Sequence, residues 1–134
     1  MSKSIFRDGM TNITFIIPGP PVPKARPRVG RNGAYTPKRT KEYEAKVRAL
    51  ALVARQKAKQ RVWTGPVAVE ATFYIETPPE RRPDCDNYLK TLLDGCKGVI
   101  YEDDAQITDI VAKKRRVFLG VKPETSVMLW RTDA

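Results

Sequence analysis

Nine of the fifteen acidic residues in this 134-residue chain fall between Glu76 and Asp109. The densest stretch is Asp84-Cys85-Asp86-Asn87-Tyr88-Leu89-Lys90, followed by Asp94 and then Glu102-Asp103-Asp104. Carboxylates this close repel one another unless something cationic sits between them. A fold that brings them together must therefore place a cation among them. The chain has no histidine, so the natural candidate is a hard divalent ion such as Mg²⁺, which prefers oxygen ligands.

The rest of the chain is basic. Lys and Arg number 25 against 15 Asp and Glu, a net charge of +10. Such an excess favours a polyanionic partner through phosphate contact and counterion release. A basic body with a local acidic cluster points to a metal-dependent enzyme acting on nucleic acid. The length suits one compact domain, and a hydrophobic content of 41% argues against wholesale disorder. No stretch approaches the roughly 18 apolar residues of a membrane span. The N-terminal MSKSIFRDGMTN holds no apolar run long enough for a signal peptide, so a cytoplasmic protein is expected. Cys85 and Cys96 make neither a disulfide framework nor a zinc site. Both are expected to be free thiols, with Cys96 in the core.

Periodicity divides the chain into elements. Residues 1–11 show none and are expected to form a loose tail to a domain spanning 12–134. Ile13, Phe15 and Ile17 alternate on one face of a first strand, which Pro18-Gly19-Pro20-Pro21-Val22-Pro23 ends. Lys24 to Tyr35 reads as a basic loop or ribbon. Its Lys24, Arg26, Arg28 and Arg31 are candidate phosphate contacts, and Arg26 and Arg28 would point the same way if extended. Thr36-Pro37 predicts a helix start, threonine as N-cap and proline first in the helix. The helix runs to about Lys59, with Tyr43, Val47, Leu50, Ala51 and Ala54 on its apolar face.

Val67, Val69, Ala71, Phe73 and Ile75 alternate in the clearest strand of the chain. Thr77 to Pro83 is a rigid connection that adds Arg81 and Arg82 to the basic set. A second helix is predicted from Asp86 to about Lys97, with Leu89, Leu92, Leu93 and Cys96 buried and Gly98 as its stop. An acidic turn covers Ile100 to Ala105. A strand within Ile107–Leu119 carries Lys113 and Lys114, further candidate DNA contacts, and Thr125–Arg131 is the last strand. These elements predict an α/β (α+β) domain, a mixed and mostly antiparallel sheet packed by two main helices.

Asp86, Lys90 and Asp94 are spaced by four, so a helix aligns them in one polar stripe. Asp84 sits just before that helix. If the Glu102-Asp103-Asp104 turn folds back over the helix start, a third carboxylate joins the site. Such a nest can hold Mg²⁺ directly and through water. The ion can make a water nucleophilic, neutralise charge on a phosphate and stabilise a leaving oxygen. A lysine on the same stripe can contact the scissile phosphate or orient the water. The absence of histidine excludes nuclease schemes built on a histidine base. The competing reading is structural: Asp84 and Asp86 cap the helix and complement its dipole, and Asp86–Lys90 is an ordinary helical pair. A calcium loop starting at Asp84 fails, because Leu89 and Gly95 stand where glycine and glutamate are needed.

The string Asp84-x-Asp86-Asn87-x-x-Lys90, then Asp94, then Asp103-Asp104-Ala105-Gln106-Ile107, resembles the RusA family of Holliday junction resolvases. Pro18 to Arg28 and the Thr36-Pro37 helix start resemble that family's N-terminal half, and the likeness spans about Asn12 to Arg131. It implies a RusA-like fold and a small Mg²⁺-dependent endonuclease (Mn²⁺ could serve in its place) that acts as a homodimer on four-way DNA junctions in recombination and repair. It implies that Asp84, Asp86 and Asp104 are the catalytic, metal-binding carboxylates. Lys90 matches a functionally important lysine, and Asp103 matches a neighbouring acidic position that could join the metal. Such resolvases are encoded by bacteria, phages and prophages.

Two other classes compete. A PD-(D/E)xK nuclease would fit Pro83-Asp84, but no Glu-x-Lys follows on a strand. A non-catalytic nucleic-acid-binding module would explain the charge but not the acidic nest, because carboxylates beside phosphate repel without a metal.

Overall fold

The alternating segment Val67–Ile75 lies inside the sheet. In the computed structural model, which describes residues 11–25 and 28–133 apart from the side chains of Arg28 and Tyr35, its Val67, Val69, Ala71, Phe73 and Ile75 are all buried. The elements in chain order are β1 (Asn12–Pro18), a hairpin of β2 (Arg28–Gly30) and β3 (Gly33–Tyr35), helix α1 (Lys38–Lys57), β4 (Val67–Ile75), helix α2 (Cys85–Cys96), a 3-10 turn (Asp104–Gln106), β5 (Ile107–Arg116) and β6 (Glu124–Arg131). The main sheet has the order β1-β6-β4-β5. β1–β6 and β6–β4 are antiparallel, and β4–β5 is parallel. This is the expected α+β architecture with a mixed, mostly antiparallel sheet and two main helices.

The parallel pair positions the functional residues. Parallel strands cannot be joined by a hairpin and need a crossover, which here is α2. Val67 pairs with Ile107 and Ile75 with Arg116. So α2 starts at the end of the sheet where β4 leaves, and the 3-10 turn precedes β5 at the opposite end.

Both helices pack largely through the expected residues, with Leu50 and Leu93 only half-buried and Thr40, Tyr88 and Thr91 joining the buried faces. Phe73 of β4 stacks on Tyr88 of α2, ring centroids 5.3 Å apart at 28°. On α1, Thr40, Tyr43, Val47, Ala51 and Ala54 are buried at helical spacing. The Tyr43 hydroxyl finds a partner 3.2 Å away in Thr125 Oγ1 of β6. α1 passes α2 closely at Gly95, where an added Cβ would lie 2.6 Å from Val47 Cβ. Burying one Val, Leu or Ile contributes about 1.5–3 kcal/mol, so this cluster holds the helices to the sheet.

The start of α1 differs from the sequence expectation. Pro37 rather than Thr36 is the N-cap of α1, and no side chain caps it. The Pro37 carbonyl instead accepts from Lys41 N at 3.1 Å, and ψ of 145° holds Pro37 outside the helix. The basic ribbon contains the β2–β3 hairpin, whose two-residue turn exposes Arg31 and whose Gly33 needs φ of +101°. The tail expected over 1–11 lies outside the described residues except for Thr11. Among the described residues no helix is long and apolar enough to cross a membrane.

Candidate active site

Asp84 is the N-cap of α2, in extended conformation. An aspartate there ordinarily accepts an N–H of the first turn. Asp84 makes no such bond. Only its main-chain carbonyl serves the helix, accepting from Asn87 N at 3.1 Å and Tyr88 N at 3.4 Å. The carboxylate faces solvent, 53% exposed, with Arg82 Nη1 at 3.4 Å. Capping therefore does not explain it. Asp86 lies in the first turn, where the helix dipole favours negative charge. Lys90 Nζ is 4.0 Å from Asp86 Oδ2, and both side chains are about two-thirds exposed. A pair this loose is worth no more than about 0.5 kcal/mol, so Lys90 can leave it cheaply.

The segment leading into Asp84 is held by β5. Lys114 Nζ donates to Arg81 O at 3.0 Å and Pro83 O at 2.9 Å. Lys113 Nζ lies 3.8 Å from Glu70 Oε1. Burial pushes the Cys85 thiol up, against the pull of the nearby Lys114 charge. Of the expected DNA contacts, Arg31, Arg81 and Arg82 are exposed. Arg26 and the Arg28 side chain lie outside the described residues.

Lys24 differs from a free phosphate contact. Its Nζ is 2.8 Å from both Glu44 Oε1 and Asp94 Oδ2. Burial alone would lower its pKa, but the hydrogen bonds to Asp94 and Glu44 reverse that and raise it. The Asp94 carboxylate is thereby engaged by Lys24.

Asp104 stands elsewhere. Its turn packs against the last turns of α2, not over the helix start. The Tyr101 hydroxyl is shared between Leu93 O at 2.9 Å and Asp104 Oδ1 at 3.2 Å. Burial, then the neighbouring Cys96 and Asp104, push the Tyr101 hydroxyl well above the ordinary tyrosine range, so it stays a donor. From Asp86 to Leu93 the helix rises about 10 Å. The β4–α2–β5 crossover imposes this separation. Asp103 is also engaged: Oδ2 accepts from Ala105 N at 3.2 Å, and Oδ1 lies 3.5 Å from Lys97 Nζ.

Gln106 fixes the turn with four hydrogen bonds. Its Oε1 accepts from Glu102 N and Asp103 N at 2.8 and 2.9 Å. Its Nε2 donates to Trp63 O and Gly65 O at 2.9 and 3.0 Å. The Asp103-x-x-Gln106 spacing is a capping-box signature that could have revealed this role in the sequence. Tyr101 carried no comparable signal.

A hard divalent ion suits the donors at the start of α2. Asp84 and Asp86 offer exposed carboxylate oxygens two residues apart, and Mg²⁺ commonly takes one or two carboxylates and completes its shell with water. Asp103 and Asp104 do not join them within one chain. Among the described residues no group of three or more acidic or cysteine side chains stands close enough to hold one ion.

Two comparisons with known proteins bear on the site. The chain is 31% identical to the uncharacterized protein YqaN of Bacillus subtilis strain 168, over 93% of this chain and 100% of that protein. Residues 18–129 match the family model described as endodeoxyribonuclease RusA, which takes in β1's last residue through most of β6, both helices and every carboxylate named above. The chain belongs to the RusA endodeoxyribonuclease family.

Proposed function

We propose that the protein is a Mg²⁺-dependent endonuclease that cuts four-way DNA junctions as a homodimer, in recombination and repair. The observation that carries this reading is the uncapped, outward carboxylate of Asp84 beside Asp86 and Lys90, in a family of endodeoxyribonucleases. Asp84 and Asp86 would hold the ion. Bound there, it supplies an activated water and neutralises charge developing on the phosphate. Lys90, loosely held, reaches a non-bridging oxygen of the scissile phosphate. Arg31, Arg81 and Arg82 contact phosphates of the arms.

Two features favour two copies acting together. A four-way junction has two equivalent strands to cut, and a twofold dimer offers two equivalent sites. Within one chain Asp104 is held away from the Asp84–Asp86 pair, so a third carboxylate on that pair would have to come from a second copy. Nicking of an end-labelled synthetic four-way junction, beside linear duplex, tests the proposal. Cleavage of the junction but not the duplex is expected with Mg²⁺. Binding with little cleavage is expected with Ca²⁺, whose looser coordination positions water poorly. Robust cleavage in EDTA would refute the metal mechanism.

A further inference from the structure

Lys114 read as a phosphate contact in the sequence, one of four consecutive cations Lys113-Lys114-Arg115-Arg116. Its geometry is different. It sits on β5, opposite Phe73 in the parallel ladder, and its side chain is only partly exposed. Its ammonium donates to two main-chain carbonyls, Arg81 O and Pro83 O, and it forms no ion pair among the described residues. The next residue after Pro83 is Asp84.

Besides Lys114, β5 holds the segment between β4 and α2 only at its start, where Arg116 Nε donates to Glu76 O at 3.2 Å. The segment belongs to no strand, and its one internal main-chain hydrogen bond among the described residues is Arg81 N to Pro78 O at 3.1 Å. Two carbonyls pointing at one ammonium make a charge-assisted clamp, stronger than a neutral pair. The clamp joins the sheet to the residues immediately before Asp84. The two carbonyls leave a single N–H of the Lys114 ammonium for any further partner.

We propose that Lys114 is a positioning residue: it fixes the backbone of residues 81–83 and so sets where the Asp84 carboxylate stands, rather than binding DNA. The proposal rests on the nuclease reading for its effect on cleavage, but the clamp itself does not. Misplacing a reacting group by about 1 Å can cost about 10²-fold in rate. Losing a phosphate contact instead weakens binding and lowers the slope of log K against log salt by about 0.9.

Lys114→Met keeps the side-chain length and removes the donors, and Lys114→Arg keeps donors. Arg115→Ala, an exposed neighbour, is the control for a cation lost from the same surface. Hydrogen–deuterium exchange of the Arg81 amide, which donates to Pro78 O within this segment, is read first, with no DNA or metal present. Faster exchange there in Lys114→Met, with the rest of the protein protected as in the wild type, is expected. Lys114→Arg should exchange more slowly than Lys114→Met. Unchanged exchange in Lys114→Met would overturn the clamp whatever the protein's activity. If Lys114→Met does not fold, Lys114→Gln, shorter and uncharged, carries the same test: exchange faster than wild type is expected, and unchanged exchange overturns the clamp.

Junction binding and single-turnover cleavage then separate the two roles. In Lys114→Met the salt slope is expected to match the wild type, while the cleavage rate at saturating protein falls about 10²-fold. A slope reduced by about 0.9 with a wild-type rate at saturation would make Lys114 a phosphate contact and overturn the proposal. If the wild type itself does not cut junctions, the nuclease reading fails, and the exchange result still decides the clamp.

Discussion

Lys24 Nζ lies 2.8 Å from Asp94 Oδ2 and 2.8 Å from Glu44 Oε1, joining the proline-rich segment after β1 to both helices. Lys24→Met should therefore cost about 1 kcal/mol of stability and leave the salt slope of DNA binding unchanged. The pKa of Lys24 is raised above its ordinary 10.5, so the ammonium form is favoured by folding. That contribution is fully present below 10.5 and fades as pH rises through the folded value. Urea unfolding on either side of pH 10.5 should show the wild-type advantage over Lys24→Met shrinking on the alkaline side. A drop in the salt slope of DNA binding would return Lys24 to the DNA surface.

Gln106 makes four hydrogen bonds that hold the turn carrying Asp104. Gln106→Ala should lower stability by about 1–3 kcal/mol, because the carbonyls of Trp63 and Gly65 lose their donor. Junction cleavage should fall by more than junction binding. Gln106→Glu should be no better, since a carboxylate cannot donate to those carbonyls. Thermal unfolding and single-turnover rates of both variants check this.

Gly95 is the close approach between the helices. An alanine Cβ would meet Val47 Cβ and Cγ1 at 2.6 Å and Glu44 O at 3.1 Å. Gly95→Ala should cost about 1–3 kcal/mol through overpacking. Val47→Ala removes the Cγ1 contact but keeps the Cβ, so it should relieve only part of the clash, and a double-mutant cycle measures the coupling. Simple additivity would mean that the helices move apart freely there.

Lys90 separates a surface pair from a reacting group. As a pair with Asp86 alone, Lys90→Ala would cost about 0.3–0.5 kcal/mol and little activity. As a phosphate contact in the transition state, it should lower the single-turnover rate about 10²-fold with folding intact. Lys90→Arg should not rescue it, because the planar fork places its charge differently. Near-normal rates for both variants would leave Lys90 a surface ion pair.

Local pattern made the elements legible. Alternation gave β1, β4 and β6 nearly to the residue, and the Leu89, Leu92, Leu93 and Cys96 spacing gave α2 within one residue of Cys85–Cys96. The acidic pair before and within the first turn of α2 was legible for the same reason, since a helix start is a local event. The position of Asp104 was not. It depends on β5 pairing parallel to β4, a contact across some 40 residues that no periodicity announces. The partners of Lys24 and Lys114 were hidden likewise: a basic residue looks the same in sequence whether it meets a phosphate, a carboxylate or a main-chain carbonyl.

The central claim is that the carboxylates at the start of α2 do the chemistry. Asp86→Asn tests it most directly, because the amide keeps the side chain's shape and removes the charge. Single-turnover cleavage of a labelled four-way junction with Mg²⁺, beside junction binding in metal-free buffer, is the measurement. Cleavage should be lost, while binding should match the wild type or tighten, since a negative charge beside phosphate is gone. Wild-type cleavage by Asp86→Asn would contradict the account.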